Sequence, residues 1–186
     1  MNIDFIKPTA AIALADIARA MEADGKKVIK LQTGDPDFST HSSIIEAASN
    51  ALKDGHTHYS FSQGLPRLRE LIADSVASEI LTPIKKEQVV ITNGAVQAIS
   101  AIISALIEPG DEVLIFEPNW PTVDSLVMLM GGNPVKINTL DENTDVIEAL
   151  DKAFTRKTKM LCFNSPNNPT GVVLSQGVIN IIAEWA

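Results

Sequence analysis

The sequence predicts an α/β domain: a mainly parallel sheet with helices on both faces, in three layers. Three observations predict it. Short apolar runs at 88–92, 112–116, 134–137 and 159–163 alternate with helical patterns, and such alternation implies right-handed crossovers and parallel strands. Val89-Val90-Ile91 and Val113-Leu114-Ile115-Phe116 are continuously apolar, as strands covered on both faces are. Gly, Pro and Asn punctuate the chain between these runs.

The elements follow in order. Residues 9–24 carry Ile12, Ala13, Ile17, Ala20 and Met21 at helical spacing, with Gly25 as the stop. Residues 28–31 read as a short strand, and Gly34-Asp35-Pro36-Asp37-Phe38 as a loop. A helix over 43–54 turns Ile44, Ala47, Ala48, Ala51 and Leu52 inward and stops at Gly55. Another begins at Pro66, a favoured first helical residue, and buries Leu68, Leu71, Ile72 and Val76. After the strand at 88–92, Asn93-Gly94 turns into an apolar helix over 95–107, and Pro109-Gly110-Asp111 ends it. The strand at 112–116 leads to a helix over 121–130, stopped by Gly131-Gly132, and then to the strand at 134–137. A helix over 145–154 is expected to be capped by Thr144. The strand at 159–163 runs into Asn164-Ser165-Pro166-Asn167-Asn168-Pro169-Thr170-Gly171, whose prolines and asparagines continue neither strand nor helix. Ser175 caps a last helix carrying Val178, Ile181, Ile182 and Trp185.

Composition excludes several functions. The chain has 186 residues, 45% apolar and 20% charged, an ordinary globular balance. A net charge of -8 argues against binding a nucleic-acid backbone, which needs a basic face. No apolar run approaches the roughly 20 residues of a membrane span. The N-terminus lacks a basic start, apolar stretch and cleavage site, so a soluble cytoplasmic protein is expected. Cys162 is the single cysteine, which allows no internal disulfide, and it reads as a small buried core residue. His56-Thr57-His58 is a weak metal motif, because a site needs three or four ligands and His41 is the one further histidine. No metal is expected.

Three loops at the exit edge of the sheet could carry chemistry, because ligands of open α/β sheets bind there. At Thr92-Asn93-Gly94-Ala95-Val96 the free amides and dipole of a helix start could hold a phosphate, and Gly94 allows close backbone approach. Most such turns bind nothing. Trp120, in Glu117-Pro118-Asn119-Trp120-Pro121, could stack on a flat heteroaromatic ring or merely pack on the next helix. Asn168 could donate to a ring oxygen or satisfy its own turn. Tyr59 could be core, surface or ligand. Neither Gly-x-x-x-x-Gly-Lys nor Gly-x-Gly-x-x-Gly is present, so nucleotide-loop and dinucleotide folds lose their defining support.

Taken together, Gly34-Asp35-Pro36-Asp37-Phe38, Tyr59 with Gly64 and Leu68-Arg69, Thr92-Asn93-Gly94-Ala95, Pro109-Gly110-Asp111-Glu112-Val113, Pro118-Asn119-Trp120 and the asparagine loop resemble the class I, aspartate aminotransferase-like enzymes. The resemblance runs from about residue 10 to the end of the chain. It implies the large domain of a fold type I pyridoxal-phosphate transferase, incomplete here. Residues 1–42 are then an N-terminal segment of small-domain part and inter-domain loop, and residues 43–186 the first part of the cofactor domain. It implies that Gly94, Ala95 and Val96 hold the phosphate of pyridoxal 5'-phosphate, that Trp120 stacks on its ring and that Asn168 bonds its phenolic oxygen. Tyr59 would reach the phosphate of the partner subunit in a homodimer, and Gly34 would lie beside the substrate carboxylate, with Trp120 and Asn168 also facing substrate. Val123 stands where the family often has a second aromatic.

In the family, the Schiff-base lysine, the acidic partner of the pyridine nitrogen and two site arginines lie downstream of the asparagine loop. No catalytic residue is therefore expected within this chain. Lys53, Lys85, Lys86, Lys136 and Lys159 read as lying at element ends or on solvated faces. Family members run to roughly twice this length, so strand edges and apolar faces are expected to be uncovered. The expected activity of the family is transfer of an amino group between an amino acid and a 2-oxo acid, with this chain inactive alone. The alternatives are a related pyridoxal-phosphate lyase or synthase, and a non-catalytic binding protein or half of a split enzyme.

Overall fold

The computed structural model describes residues 10–139 and 145–186. They form two compact units, 10–94 and 95–186.

In the unit 95–186 the order is α4 (Gly94–Leu106, its first residue at the unit boundary), β1 (Glu112–Glu117), α5 (Thr122–Leu129), β2 (Asn133–Asn138), α6 (Val146–Ala153), β3 (Thr158–Cys162) and α7 (Gln176–Trp185). The strands are parallel and lie in the order β2-β1-β3. Leu114 faces Val135 on one side and Leu161 on the other, and Ile115 faces Lys136 and Cys162.

The middle strand explains the layering. Side chains alternate across a strand, and all four central residues of β1, Val113 to Phe116, are buried. Val113 and Ile115 pack with Ile103 and Ile107 from the α4 side and with Val123 and Val127 of α5. Leu114 and Phe116 pack with Ile137 of β2, Leu150 of α6 and Ile182 of α7. Burying each such side chain stabilises by about 1.5–3 kcal/mol, so β1 holds both helical layers to the sheet.

Local chemistry ends and starts these elements. Gly132 marks a close approach: a Cβ there would sit 2.7 Å from Ile107 Cγ2 and 3.0 Å from Val127 Cγ1. The predicted cap Thr144 lies outside the described residues. Asp145 caps α6, its carboxylate accepting from the Ile147 and Glu148 amides at 2.9 and 3.2 Å. Ser175 caps α7 as expected, accepting from Val178 N at 3.3 Å. Trp185 Nε1 donates to Asp151 Oδ1 at 2.8 Å and so ties α7 to α6.

The unit 10–94 contains α1 (Ala10–Ala23), α2 (Ser42–Lys53), α3 (Pro66–Ile80) and a 3-10 turn (Lys86–Gln88). Among the described residues it contains no strand. The strand expected at 28–31 is unpaired, and its Ile29 and Leu31 are 81% and 89% exposed. The strand expected at 88–92 fails for a visible reason. Its backbone groups go elsewhere: Val89 O accepts from Arg69 Nε at 2.8 Å, and Ile91 N donates to Gln63 O at 3.0 Å. A strand is a pairing, and apolar character alone does not supply the partner.

The three helices exist, but their expected inward faces do not form a core. Ile12 and Ile17 of α1, Ile44 and Leu52 of α2, and Leu68, Leu71 and Val76 of α3 are exposed. The buried residues here are Ala18, Ala73 and Arg69. The Arg69 guanidinium is satisfied by Lys86 O at 2.7 Å and Val89 O. Periodicity identifies a face able to be covered, not the element that covers it. His41 caps α2, its Nδ1 accepting from Ser43 N at 3.3 Å.

Candidate functional site

Parallel strands place the loops after β1 and β3 at one edge of the sheet, and α4, packed on β1, brings its first turn to the same place. There they enclose a cavity of about 220 Å³. Ala95 and Asn168, both exposed, stand at its rim, and half-buried Trp120 forms a wall. Buried Ile115, Phe116 and Val123 form its base, with Ile99, Cys162 and Phe163 beside them. Three sequence-predicted residues, Ala95, Trp120 and Asn168, are thus brought together. Trp120 does both things expected of it: it packs on the core cluster of α4 and α5, and it lines the cavity.

The asparagine loop divides its labour between neighbours. Asn167 satisfies the turn: its Oδ1 accepts from Thr170 N at 3.2 Å and Thr170 Oγ1 at 2.9 Å. Its Nδ2 donates to Pro118 O at 2.9 Å, which fastens this loop to the Trp120 loop. Asn164 Nδ2 donates to Pro166 O at 2.9 Å, and Ser165 Oγ accepts from Leu174 N at 2.9 Å. The Asn168 amide makes no hydrogen bond among the described residues, although it stands on the cavity. The peptides before Pro118, Pro166 and Pro169 are cis.

The helix start is equally defined. Gly94 has φ +82, a conformation side chains with a Cβ rarely adopt, and open space surrounds it. Its own amide donates to Thr92 O at 2.9 Å. The Ala95 and Val96 amides lie in the first turn, where the helix itself supplies no carbonyl four residues back. Val96 itself is exposed and is not part of the cavity wall.

Tyr59 and Gly34 belong to the unit 10–94. Tyr59 is fully exposed and lines an open groove with His56, His58 and Phe61. A Cβ at Gly34 would meet nothing within 4 Å. Among the described residues, no three His, Cys, Asp or Glu side chains gather as metal ligands. No helix among them is long and apolar enough to cross a membrane.

Two expectations are corrected. Cys162 is half-buried and lines the cavity instead of vanishing into the core. Burial, and then the Asp124 carboxylate, push its thiol above the ordinary value, against a lowering by Lys136, so it stays protonated. Lys136, read as solvated, is the centre of a part-buried cluster. It pairs with Asp124, donates to Asn119 Oδ1 at 3.1 Å and lies 3.4 Å from Glu117 Oε1. Sequence reasoning also missed Asn167; its signal was an asparagine three residues before a threonine, an arrangement that closes its own turn.

An aromatic wall, an unsatisfied amide and a helix N-terminus around one small cavity can hold a flat, anionic, ring-bearing ligand. The volume is below the roughly 300–1,000 Å³ of sites that engulf a drug-sized ligand, on the scale of a single ring.

Residues 26–186 match the family described as "Aminotransferase class I and II". The "Aspartate/prephenate aminotransferase" of Thermus thermophilus is 36% identical over 187 residues, covering 100% of this chain and 49% of that protein. A "Probable aspartate aminotransferase" of Streptomyces griseus is 36% identical over 188 residues and is 88% covered. The solved aspartate aminotransferase of Thermus thermophilus with maleate superposes with a TM-score of 0.93 at 35% identity, over 99% of this chain and 49% of that one. The chain thus spans about half the length of most relatives it matches. On the extent of that match and the shared fold, this chain belongs to the class I and II aminotransferases.

Proposed function

We propose that this chain supplies the ring-holding part of an aminotransferase that moves an amino group between an amino acid and a 2-oxo acid. Enzymes of the family use pyridoxal 5'-phosphate. The observation that carries the reading is the convergence of Ala95, Trp120 and Asn168 on one cavity. When bound, pyridoxal 5'-phosphate supplies an aldehyde that takes up the amino group and a ring that acts as electron sink.

The residues of this chain do the holding. The amides of Ala95 and Val96, in the first turn of α4, would complement the charge of the phosphate, and Gly94, whose own amide is taken by Thr92 O, would let it approach closely. Trp120 stacks on the ring. The free Asn168 amide donates to the ring's phenolic oxygen, whose charge strengthens that bond. The neutral Cys162 thiol and the apolar base keep water from the ring. Trp120 and Asn168 border the substrate. Tyr59, exposed here, reaches the phosphate held by a second copy in a homodimer. Residues 1–42 belong with the small domain and inter-domain loop, residues 43–186 with the cofactor domain, and the protein works in amino acid metabolism in the cytoplasm.

Among the described residues no lysine lines the cavity, which supports binding without turnover by residues 1–186 alone. The test is titration with pyridoxal 5'-phosphate, borohydride reduction and mapping of labelled lysines. Saturable binding with scattered labelling and no transamination is expected. One uniquely labelled lysine with turnover would defeat the reading.

A further inference from the structure

The strand-to-helix connection that carries Trp120 is four residues long, Pro118 to Pro121, between β1 and α5. A connection at a sheet edge is ordinarily free to move. This one is gripped from the side by a cluster of charged and amide groups drawn from three elements. Lys136 projects from β2, on the face opposite Val135 and Ile137. Its Nζ pairs with Asp124 in the first turn of α5, and meets Asn119 Oδ1 at 3.1 Å in the connection itself. Asn119 Nδ2 then donates to Asp124 Oδ1 at 3.0 Å and to the Trp120 carbonyl at 3.2 Å.

Lys136 and Asp124 side chains are 29% and 21% exposed, against 72% and 68% for the Arg19–Asp16 pair. Exposed pairs of the second kind contribute almost nothing measurable. A part-buried pair with a shared amide partner is different: screening is weaker and the geometry is specified by several bonds at once. Neither Lys136 nor Asp124 lines the cavity. The cluster reaches it through Asn119, which lines it, and through the backbone of Trp120, whose ring is the wall.

We propose that Lys136 and Asp124 are positioning residues: through Asn119 they hold the Trp120 indole at the angle and depth that a stacked ring requires. For its consequence at the ring, this rests on the cofactor reading above. Stacking depends on ring separation and offset, and small misplacements of a holding group are costly.

The test uses the full chain with Trp185→Phe, leaving Trp120 as the one tryptophan of the two. Variants are Lys136→Met, Asp124→Asn and their combination. The control is Val135→Ala, which weakens packing of the same strand on its other face. Two readouts are taken: Trp120 fluorescence anisotropy and acrylamide quenching without ligand, and the dissociation constant for pyridoxine 5'-phosphate, which has no aldehyde to react with surface lysines. The expected result is lower anisotropy, stronger quenching and about tenfold weaker binding, or about 1.4 kcal/mol, in Lys136→Met and Asp124→Asn. The double variant should lose little more, because the pair acts as one. Val135→Ala should lower stability but leave both readouts near the parent. Unchanged anisotropy, quenching and affinity in Lys136→Met would overturn the proposal. If the parent fails to bind pyridoxine 5'-phosphate while Trp120 still loosens in the variants, the brace stands and the cofactor reading falls.

Discussion

Adjacent asparagines with opposite duties make a sharp test. Replacing Asn167 by Ala removes three close bonds, to Pro118 O at 2.9 Å, from Thr170 N at 3.2 Å and from Thr170 Oγ1 at 2.9 Å, along with a long one to Asn164 Oδ1 at 3.4 Å. Each contributes about 0.5–1.5 kcal/mol net. Water can reach most of these groups, so the lower half of the summed range applies, about 1.5–3 kcal/mol. With a urea slope of about 1–3 kcal/mol/M, the unfolding midpoint should fall by roughly 1 M. Replacing Asn168 by Ala removes no bond among the described residues, so stability should stay within about 0.5 kcal/mol of the parent. Binding should invert the comparison. Asn168→Ala loses a bond to a charged oxygen, about 1.5–3 kcal/mol, or at least tenfold in the dissociation constant for pyridoxine 5'-phosphate. Asn167→Ala loses affinity only together with stability. Equilibrium urea unfolding by far-UV circular dichroism and ligand titration by absorbance read both quantities. If Asn168→Ala unfolds the chain as readily as Asn167→Ala, or binds like the parent, the division of labour is wrong.

Further outcomes follow from packing and charge. Gly132→Ala forces a methyl against Ile107 Cγ2, 2.7 Å away, and should destabilise by about 1–3 kcal/mol in thermal unfolding. Leu150→Ala empties a fully buried position between α6 and β1 and should cost about 2–5 kcal/mol by the same measurement. Arg69→Met takes the guanidinium donor from Val89 O and one of two donors from Lys86 O, which keeps Val89 N, so amide exchange of Ile91 and its neighbours should accelerate while the sheet of the other unit is unaffected. For Cys162, burial raises the folded thiol above its ordinary 9.0. The folded chain then holds that proton more tightly than the unfolded chain does. Its contribution is complete below pH 9.0 and is lost as pH rises through the raised folded value. Cys162→Ala should flatten the alkaline limb of a stability–pH curve; an identical limb would contradict the direction.

Helix positions were legible in the sequence because caps and stops are local. Pro66, Ser175 and Gly25 mark boundaries within a residue or two of those observed. So was the sheet around β1, whose four consecutive buried residues need cover on both faces and read that way from composition. Runs of the same composition at 28–31 and 88–92 did not become strands, because pairing depends on a neighbour far along the chain, and here Gln63 and Arg69 take the backbone groups of 89 and 91. The inward faces of α1 to α3 failed likewise: their stripes are real, but burial belongs to whatever packs on them.

At the site, residue type and loop position pointed to Trp120 and Asn168 before any coordinates, since parallel strands must deliver their exits to one edge; the start of α4 was named on the same ground, but it reaches the cavity through the packing of α4 on β1, because 88–92 is not a strand. Which of two neighbouring asparagines closes the turn and which remains free was settled by the fold, because Asn167 and Pro118 lie 49 positions apart and meet only once the chain between them has folded back. The same holds for Lys136, whose charge looks solvated in sequence and acquires Asp124 and Asn119 as partners only when β2 lies beside β1. Short-range chemistry is written residue by residue, whereas a hydrogen-bond partner across the sheet exists only once register and strand order are set.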